Sequence, residues 1–414
     1  MILMKDLQNK ASDRNLTSLT AFTLAHFIVD FSCAFLLFRL RRVNAFPDNN
    51  VWGFFLAYNV LAFGLEFVIG SFFKLRTARI CSCVGCCVLA LGLGLGAYIE
   101  TSIARHLPLV LQSSNDWSDF AYNSSGIQKI SFSSLSLLAI VFAGIGNAFF
   151  HVGGGIDALA HDVGRYWRGG VFISSGAIGL YIGGRLGDFA KTSFGFVVFL
   201  LVLTTVLIWI WGKELSKNKE EQEGSRVEDL TSQRYVQLFY DDWRVFPLFL
   251  AIAVVLTRSF VGFVAPRLVD FTIDDQTLLL GIACASFVGK FTGGFCADWL
   301  GARKTGAIAL LLTIPCLCFP TNMSFFLIGV FLLNSTTAVT LVSAAQACVG
   351  RVGFAFGLTT LALLCGYLLY DVALKVLDFQ NDVETIRYAL VATLFASSVG
   401  IFLSTYVVKK RKGV

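Results

Sequence analysis

The feature that most constrains this chain is a series of continuous apolar runs, each nearly free of charged residues. A helix needs about 20 such residues to cross the hydrocarbon core of a bilayer. The runs lie near residues 17–39, 51–73, 80–99, 131–151, 168–189, 192–212, 244–266, 277–297, 305–320, 322–343, 352–373 and 387–408. We therefore predict twelve transmembrane helices. The apolar residues do not alternate with polar ones, which disfavours a transmembrane β-barrel.

Composition supports the same class of protein. Hydrophobic residues make up 56% of the 414 residues and charged residues only 14%, whereas soluble domains carry about 25% charged residues. A water-exposed globule of this size could not cover its surface with so little charge. The chain is thus predicted to be an all-α polytopic membrane protein in contact with lipid. Its net charge of +6 does not indicate a nucleic-acid partner, because the basic residues lie between the runs and at the C-terminus.

A short charged stretch divides the chain into two parts. It carries several lysines and glutamates that cannot enter lipid, and six apolar runs lie on each side of it. We predict an N-terminal six-helix bundle at 1–212, a cytoplasmic charged linker at 213–242 and a C-terminal six-helix bundle at 243–414. A second long loop is predicted at 100–130, on the outer side of the membrane.

Basic residues are concentrated in the loops on the side of the N-terminus, so both termini are predicted to be cytoplasmic. A cleavable signal peptide is not expected, because the first run is too long and continues into Arg39. The spacing of Cys81, Cys83, Cys86 and Cys87 resembles that of a metal site, but no histidine is near them in sequence. We interpret these cysteines as packing residues, and we predict no metal site, cofactor or disulfide framework.

The junction of the eighth and ninth runs carries a spaced glycine, acid and base pattern. Its residues are Gly294, Asp298, Gly301, Arg303 and Lys304. The pattern resembles the loop signature of the major facilitator superfamily, although Trp299 and Ala302 stand where bases are usual. The resemblance implies twelve transmembrane helices in two pseudo-symmetric six-helix halves, and a gating loop formed by these five residues. The matching loop of the first half keeps Gly70 but lacks the acid, so we expect a weaker lock there.

Three further segments resemble the fosmidomycin-resistance branch of that superfamily. They contain His26 and Asp30 in the first run, a Phe-His pair ending at His151, and the stretch 345–353. The branch has Pro and Glu after this histidine, and Val152 and Gly153 replace them here, so the substrate of the branch is not carried over. Repeated glycines at 176–184 resemble the signature of proton-driven antiporters; tight helix packing is the alternative interpretation.

Ionisable side chains inside the membrane point to a second group of candidates. Each costs about 2.5–3.5 kcal/mol to insert at the helix centre, so such residues usually face a cavity. His26 and Asp30 share one helix face, and histidine changes its charge near neutral pH. We predict that this pair and Glu66 couple transport to protons. The alternatives are a static pair that fixes helix packing and, for Glu66, a helix-end residue paired with Arg76 or Arg79.

Other polar residues in the runs are candidate substrate contacts. They are Asn59, His151, Arg258, Lys290, Gln346 and Asp371. The bases Arg258 and Lys290, together with Arg39 and Arg185, would create a positive field. Such a field favours an anionic or zwitterionic solute. Asp371 is expected to pair with Lys375 or Arg258. An interfacial position is the alternative interpretation of His151.

The resemblance implies a secondary active transporter that works by alternating access and uses the proton gradient to export a small organic or drug-like compound. Uptake or facilitated transport of a small anionic solute is the alternative, favoured by the intramembrane bases. An enzyme is not predicted, because no nucleophile motif, metal set or phosphate loop accompanies the His26–Asp30 pair. We expect a monomer in the inner membrane of a bacterium. Asp157 and His161 are expected in a solvated cytoplasmic loop.

Overall fold

The structure of the protein is a computed structural model. It describes residues 2–43, 45–46, 51–113, 127–161, 164–189, 191–211, 245–269, 274–348, 350–376 and 382–410. The predicted linker at 213–242 lies outside the described residues, as do residues 114–126 of the predicted outer loop.

The described residues form twelve α-helices. These are α1 (Ile2–Arg42), α2 (Val51–Phe72), α3 (Ala78–Ser113), α4 (Ile127–Ala160), α5 (Trp167–Asp188), α6 (Phe194–Trp211), α7 (Val245–Val264), α8 (Asp275–Cys296), α9 (Ala302–Cys318), α10 (Met323–Ala347), α11 (Val352–Val376) and α12 (Val383–Lys410). Short 3-10 helices cover Leu75–Thr77 and Ala265–Leu268, and a π-helical turn at Ala297–Gly301 joins α8 to α9. Each α-helix coincides with one predicted apolar run, which confirms the all-α prediction.

Ten helical segments among the described residues are long and apolar enough to cross a membrane. One of them, Asp275–Cys318, contains both α8 and α9. The helix α5 is not among the ten, because glycine, serine and two arginines lower its hydropathy. The ten segments and the twelve helices therefore describe the same architecture.

Several helices extend beyond their apolar runs. The helix α3 continues to Ser113 and α4 begins at Ile127, so the prediction of a loop over 100–130 is wrong at both of its ends. The helix α4 also continues past His151 to Ala160. Hydropathy measures only the lipid-facing part of a helix, whereas backbone hydrogen bonding continues through polar residues outside it.

Buried apolar side chains form one core mainly within α1–α6, to which Leu341, Val342 and Phe356 of the later helices also contribute, and another within α7–α12. We call these two groups the N-terminal half and the C-terminal half. The first core includes Phe22, Phe35 and Phe150, and the second includes Leu310 and Phe326. Many large apolar side chains remain exposed on the outside of the bundle, as expected for helices that face lipid. The two halves confirm the predicted fold class.

The halves meet along two helix pairs, α2 with α11 and α5 with α8. Because the number of helices is even, both chain ends lie on one side, which we call the terminal face; the other side is the opposite face. At the terminal face the backbones touch, since neither Gly70 nor Gly353 has room for a Cβ against the other. At the opposite face the contacts involve exposed side chains, such as Arg185 donating to Gln276 at 2.9 Å. The halves are thus closed most tightly at the terminal face.

Candidate functional site

Four buried ionisable side chains meet inside the N-terminal half. His26 and Asp30 extend from α1, Glu66 from α2 and His151 from α4, and each is at most 6% exposed. Nε2 of His26 lies 3.2 Å from Oδ2 of Asp30, and Nε2 of His151 lies 3.1 Å from Oδ1. Nδ1 of His151 lies 2.8 Å from Oε1 of Glu66. We call these four residues the acid–histidine cluster.

The ring of His26 is held by α5 on its other side. Its Nδ1 lies 2.7 Å from the carbonyl oxygen of Phe172, and this contact requires a proton on Nδ1 because a carbonyl only accepts. The Phe172 ring stacks on the His26 ring at a centroid distance of 4.7 Å. His26 also meets His151 edge to face at 4.7 Å. The tautomer and orientation of His26 are therefore set by a neighbouring helix.

Glu66 brings the acid–histidine cluster to the boundary between the halves. The residue is 0% exposed, and its Oε2 has no hydrogen-bond partner within the described part of the chain. On α11, Gly357 packs directly against the Glu66 backbone. Thr360 lies beside the Glu66 carboxylate, but its hydroxyl donates to the Gly357 carbonyl at 2.9 Å. A buried acceptor without a donor is costly, so this oxygen is a point where a proton or ligand would add stability.

The cluster changes the interpretation of two sequence candidates. Glu66 pairs with His151 and not with Arg76 or Arg79, so the helix-end alternative is wrong. The interfacial alternative for His151 is also wrong, because α4 continues to Ala160 and the side chain is buried. His26 and Asp30 are in contact, as their spacing predicts, while their role in proton coupling stays a proposal.

The repeated glycines of α5 face α1. A Cβ at Gly179 or Gly183 would collide with the backbone of Phe27 or Phe31, and one at Gly176 would collide with the side chains of Asp30 and His26. Small residues let two helices approach closely. The glycines thus have a packing role in this structure, while the antiporter resemblance and the direction of transport that it implies stay predictions.

The C-terminal half contains one buried base, Arg258, and one half-buried base, Lys290, in a different environment. The Arg258 side chain extends from α7, is 6% exposed and donates to the Thr337 hydroxyl of α10; its Nε has no partner within the described residues. Lys290 lies on α8, close enough to Arg258 and to Asp30 for their charges to interact. No ion pair to an acid is formed by Arg258 or Lys290 in the described part of the chain. Of these two bases, Lys290 is the one whose charge lies near the acid–histidine cluster, and Arg258 lies near Lys290.

The other two bases assigned to the positive field are elsewhere. Arg39 is buried near the opposite-face end of α1, with its Nε 3.6 Å from Oε1 of Glu100, and it donates to the Thr192 carbonyl. Arg185 is bound to Gln276 at the opposite-face surface. The expectation that these two residues share one positive field with Arg258 and Lys290 is therefore wrong, because Arg39 lies beside Glu100 and Arg185 lies at the opposite-face surface.

The remaining substrate candidates do not meet at one place. Asn59 lines a cavity of about 230 Å³ between α2, α7 and α11, together with apolar residues and Tyr367. Its amide donates to the Phe55 carbonyl of its own helix at 2.9 Å. Gln346 lies at the terminal face beside Tyr166. Asp371 pairs with Lys375 at 2.7 Å near the opposite face, which is one of the two partners expected for it.

Asp298, in the candidate gating loop, joins the two halves at the terminal face. Its carboxylate accepts hydrogen bonds from the backbone N–H groups of Tyr166 at 3.0 Å and Trp167 at 2.9 Å. These groups lie at the beginning of α5, where free N–H groups and the helix dipole favour a negative charge. Gly294 lets α8 approach them, because a Cβ there would meet the Tyr166 carbonyl oxygen at 2.7 Å. Asp298 therefore caps α5 of the other half, across the contact between the halves.

The rest of the gating loop has local roles. Gly301 adopts a φ of +92°, a left-handed conformation that favours glycine. The Arg303 guanidinium lies over the ring of Phe402, and Lys304 is exposed. Burial raises the pKa of Tyr166, which lies beside this loop; the nearby Ser343 and Gln346 side chains oppose the shift.

The structure corrects the prediction for Asp157 and His161. Asp157 is buried in α4, where it accepts from the Ser18 hydroxyl at 3.0 Å and contacts Nε2 of His161 at 3.0 Å. The extension of α4 turns this predicted loop into a second buried acid–histidine pair.

The cysteine cluster does not meet at one point. Cys81 and Cys86 are buried, whereas Cys87 is exposed, and Cys81 donates to the Phe149 carbonyl. The group in the described residues with donor atoms close enough for a metal ion is His26, Asp30 and His151.

Sequence reasoning missed several groups that complete these sites. Phe172 contributes a backbone carbonyl, Trp167 a backbone N–H, Thr337 a hydroxyl, and Gly176 a side-chain-free surface against which Asp30 and His26 pack. Backbone groups have no sequence signal, and the threonine is one of many in its helix. The glycine repeat of α5 was the one visible signal, and it indicated a close approach without identifying the neighbour.

No protein-family model matches the sequence, and no curated protein sequence matches it. Solved structures of similar fold include FucP, a major facilitator superfamily transporter, in an outward conformation, with a TM-score of 0.65, 12% identity, and coverage of 95% of this chain and 99% of that chain. A structure of the E. coli fucose:proton symporter FucP has a TM-score of 0.65 at 12% identity, with 94% of this chain and 98% of that chain covered. A bacterial homologue of the iron transporter ferroportin, in an outward-facing state, has a TM-score of 0.61 at 12% identity, with 97% of this chain and 100% of that chain covered.

A structural likeness at 12% sequence identity shows the fold of the chain and not its substrate. The chain is an integral membrane protein with the fold of major facilitator superfamily transporters, as the sequence predicted. The resemblance to the fosmidomycin-resistance branch stays a prediction.

Proposed function

We propose that the chain is a secondary active transporter whose two halves alternate around a central site and whose transport of a small solute is coupled to protons. One observation carries the proposal: four ionisable groups of the N-terminal half form a buried cluster, and Lys290 of the C-terminal half lies close enough to Asp30, and to the buried Arg258, for their charges to interact. Buried ionisable groups are costly in a membrane and are found on proton and solute pathways. A purely structural bundle would not need them.

The acid–histidine cluster is suited to hold exchangeable protons. Its three contacts join acids to imidazole nitrogens at 2.8–3.2 Å, and each needs a proton between the two atoms. Histidine is the side chain whose charge changes between about pH 5 and 8. Because Glu66 touches Gly357 of α11, separation of the halves at the terminal face would expose its free oxygen to water. Proton occupancy and the contact between the halves are thereby linked.

Arg258 and Lys290 favour an anionic solute. A buried guanidinium lacking an acidic partner is stabilised by an incoming carboxylate or phosphate, which it binds with charge-assisted hydrogen bonds. The cavity beside Asn59 is mainly apolar and would receive the organic part of such a solute. Export of a small organic compound remains the direction implied by the motif resemblance. Uptake of a small organic anion is the second candidate, and the two bases favour it.

Localisation follows from the same proposal. The excess of basic residues in the loops of the terminal face places that face in the cytoplasm, and we propose a monomer in the inner membrane of a bacterium. Fusing a reporter that is active only outside the cytoplasm to the C-terminus would test the orientation; an active reporter would contradict it.

Flux measurements in proteoliposomes test the function. Purified protein is reconstituted with a pH-sensitive dye inside, and a panel of small organic anions and amphiphilic drugs is offered with and without a pH gradient. We expect one class of solute to move with protons in the wild type, and the gradient dependence to be lost in Asp30→Asn. Asp188→Asn is the matched control, because it removes an acid from an exposed pair with Arg41. Gradient dependence that survives Asp30→Asn would contradict proton coupling through the cluster.

A further inference from the structure

We propose that His26, Asp30 and His151 form a binding site for a divalent first-row transition-metal ion. This goes beyond the proposed function, because binding to the resting protein requires no transport. The donor set consists of Nε2 of each histidine and the Asp30 carboxylate, and one ligand atom from each residue lies within 4.8 Å of the others. Two imidazoles and one carboxylate are ligands that zinc, iron, cobalt and nickel ions share.

The spacing of the donors fits a common ion. Nitrogen and oxygen ligands bind such ions at about 2.0–2.2 Å, which separates neighbouring ligand atoms by roughly 3–3.5 Å. The two nitrogens lie 3.2 and 3.1 Å from the two Asp30 oxygens. The two histidines approach Asp30 from different helices, and both rings direct Nε2 toward it.

The outer hydrogen bonds have the arrangement of a metal site. Histidines that bind metals donate their other ring N–H to a carbonyl or a carboxylate, which orients the ring and fixes its tautomer. Nδ1 of His26 contacts the Phe172 carbonyl at 2.7 Å, and Nδ1 of His151 contacts Glu66 at 2.8 Å. Both Nε2 atoms are thereby left to bind an ion. Two independent outer contacts of this kind distinguish the site from an ordinary buried ion pair.

Charge and space around the site also favour an ion. Asp30 and Glu66 together carry two negative charges, which one divalent ion neutralises. Gly176 of α5 lets the Asp30 and His26 donor atoms lie directly against α5, since a Cβ there would collide with both side chains. One charge opposes binding: Lys290 of α8 lies close enough to Asp30 to interact with it. An ion at this site would occupy the atoms to which the proposed function assigns protons, so it would compete with them.

Titration of the purified, metal-free protein with Co²⁺ in detergent tests the site, because the visible absorption of Co²⁺ reports nitrogen and oxygen ligands in a low-symmetry site. We expect one Co²⁺ per chain, displaced by Zn²⁺, and no thiolate-to-metal charge-transfer band. In Asp30→Asn and His151→Gln we expect affinity to fall more than about 100-fold, since loss of an outer contact alone costs 10–100-fold. A thermal melt confirms that each variant is folded.

His161→Gln is the matched control, because His161 and Asp157 form a similar buried pair that offers only two donors. We expect it to bind Co²⁺ as the wild type does. Two further variants keep the test decisive if the ligand variants do not fold. Gly176→Ala should abolish binding by filling the site. Lys290→Gln should strengthen binding on the order of tenfold, because it removes a nearby positive charge.

Absence of Co²⁺ binding in the wild type would overturn the proposal. So would a thiolate band, which would assign the ion to cysteines, or equal binding in wild type and Gly176→Ala. These outcomes leave the proposed function unaffected, because solute flux is measured separately in metal-free proteoliposomes. Proton-coupled flux without Co²⁺ binding would disprove the metal site alone, and Co²⁺ binding without flux would disprove the transporter alone.

Discussion

The two halves of the molecule handle buried charge in different ways. In the N-terminal half, two acids and two histidines contact one another, so each acid has an imidazole partner. In the C-terminal half, Arg258 has a neutral hydroxyl partner and Lys290 lies near it. Acids with partners can remain buried without a solute, whereas a buried base without an acid is stabilised when an anion arrives. Under the proposed function, this difference corresponds to proton coupling in one half and solute binding in the other.

The largest effect is expected for Arg258→Gln, which removes the positive charge proposed to bind the anionic solute. We expect KM for the transported anion to rise more than about 100-fold, because losing one partner of a buried charged pair costs about 2–5 kcal/mol. Initial uptake rates over a range of concentrations measure this change. Arg267→Gln is the control, since Arg267 follows on the same segment and bonds to the Tyr370 hydroxyl. An unchanged KM in Arg258→Gln would remove the solute-binding role of this half.

The second-largest effect is expected for Glu66→Gln. The glutamine side chain resembles the protonated form of Glu66 in shape and charge. Gradient-driven accumulation should fall about tenfold, because losing a charged buried hydrogen bond costs about 1–3 kcal/mol. Exchange of labelled for unlabelled solute, with no gradient, should continue because it needs no release of the proton. Glu384→Gln, in an exposed pair with Arg387, should alter neither. Loss of exchange along with accumulation would show that Glu66 binds the solute, and the division between the halves would fail.

A smaller effect is expected for Asp298→Asn, which weakens the contact between the halves at the terminal face. The variant loses the charge that caps α5, worth about 1 kcal/mol, so a larger fraction of molecules should open at that face. A spin-label distance between the terminal-face ends of α5 and α10 would measure the shift. Asp275→Asn, at the other end of α8, is the control. An unchanged distance distribution would mean that the glycine contacts alone close this face.

The smallest effect is expected for Tyr58→Phe, which removes one neutral hydrogen bond beside the acid–histidine cluster. The Asn147 amide donates to the Tyr58 hydroxyl at 2.6 Å, and both residues are buried. We expect the free energy of unfolding to fall by about 1 kcal/mol, with gradient-driven flux nearly unchanged. Thermal unfolding in detergent measures the loss, with the exposed Tyr388→Phe as reference. A large loss of flux with normal stability would extend the cluster to Tyr58.

Local patterns in the sequence predicted the fold well. Runs of apolar residues located all twelve helices, since a spanning helix needs a minimum apolar length that can be read from neighbouring residues. The four-residue spacing of His26 and Asp30 predicted a contact, because both lie on one face of one helix. The loop signature singled out Asp298, although the helix that it caps lies in the other half and could not be read from the signature. The loop predicted at 100–130 failed, since hydropathy does not detect a helix that continues into water.

Contacts between distant residues could not be predicted in the same way. His151 lies 121 residues from Asp30 in sequence, and no local pattern indicated that they meet. The bases at Arg39 and Arg185 looked equivalent to Arg258, yet nearby acceptors bind the first two. Whether a buried group has a partner depends on which neighbouring helix supplies an acceptor at the same depth.

The sequence by itself determined the membrane class, the number of helices and the helix that carries each ionisable residue. These properties depend on hydropathy and spacing, which are local. Only the tertiary structure decided which of those residues share a site, because that depends on the rotation and depth of packed helices. The close approach of α5 to α1, α2 to α11 and α5 to α8 sets both, and it joins Glu66, His151, Asp30 and His26 into one cluster. Among the described residues, it leaves Arg258 without an acidic partner.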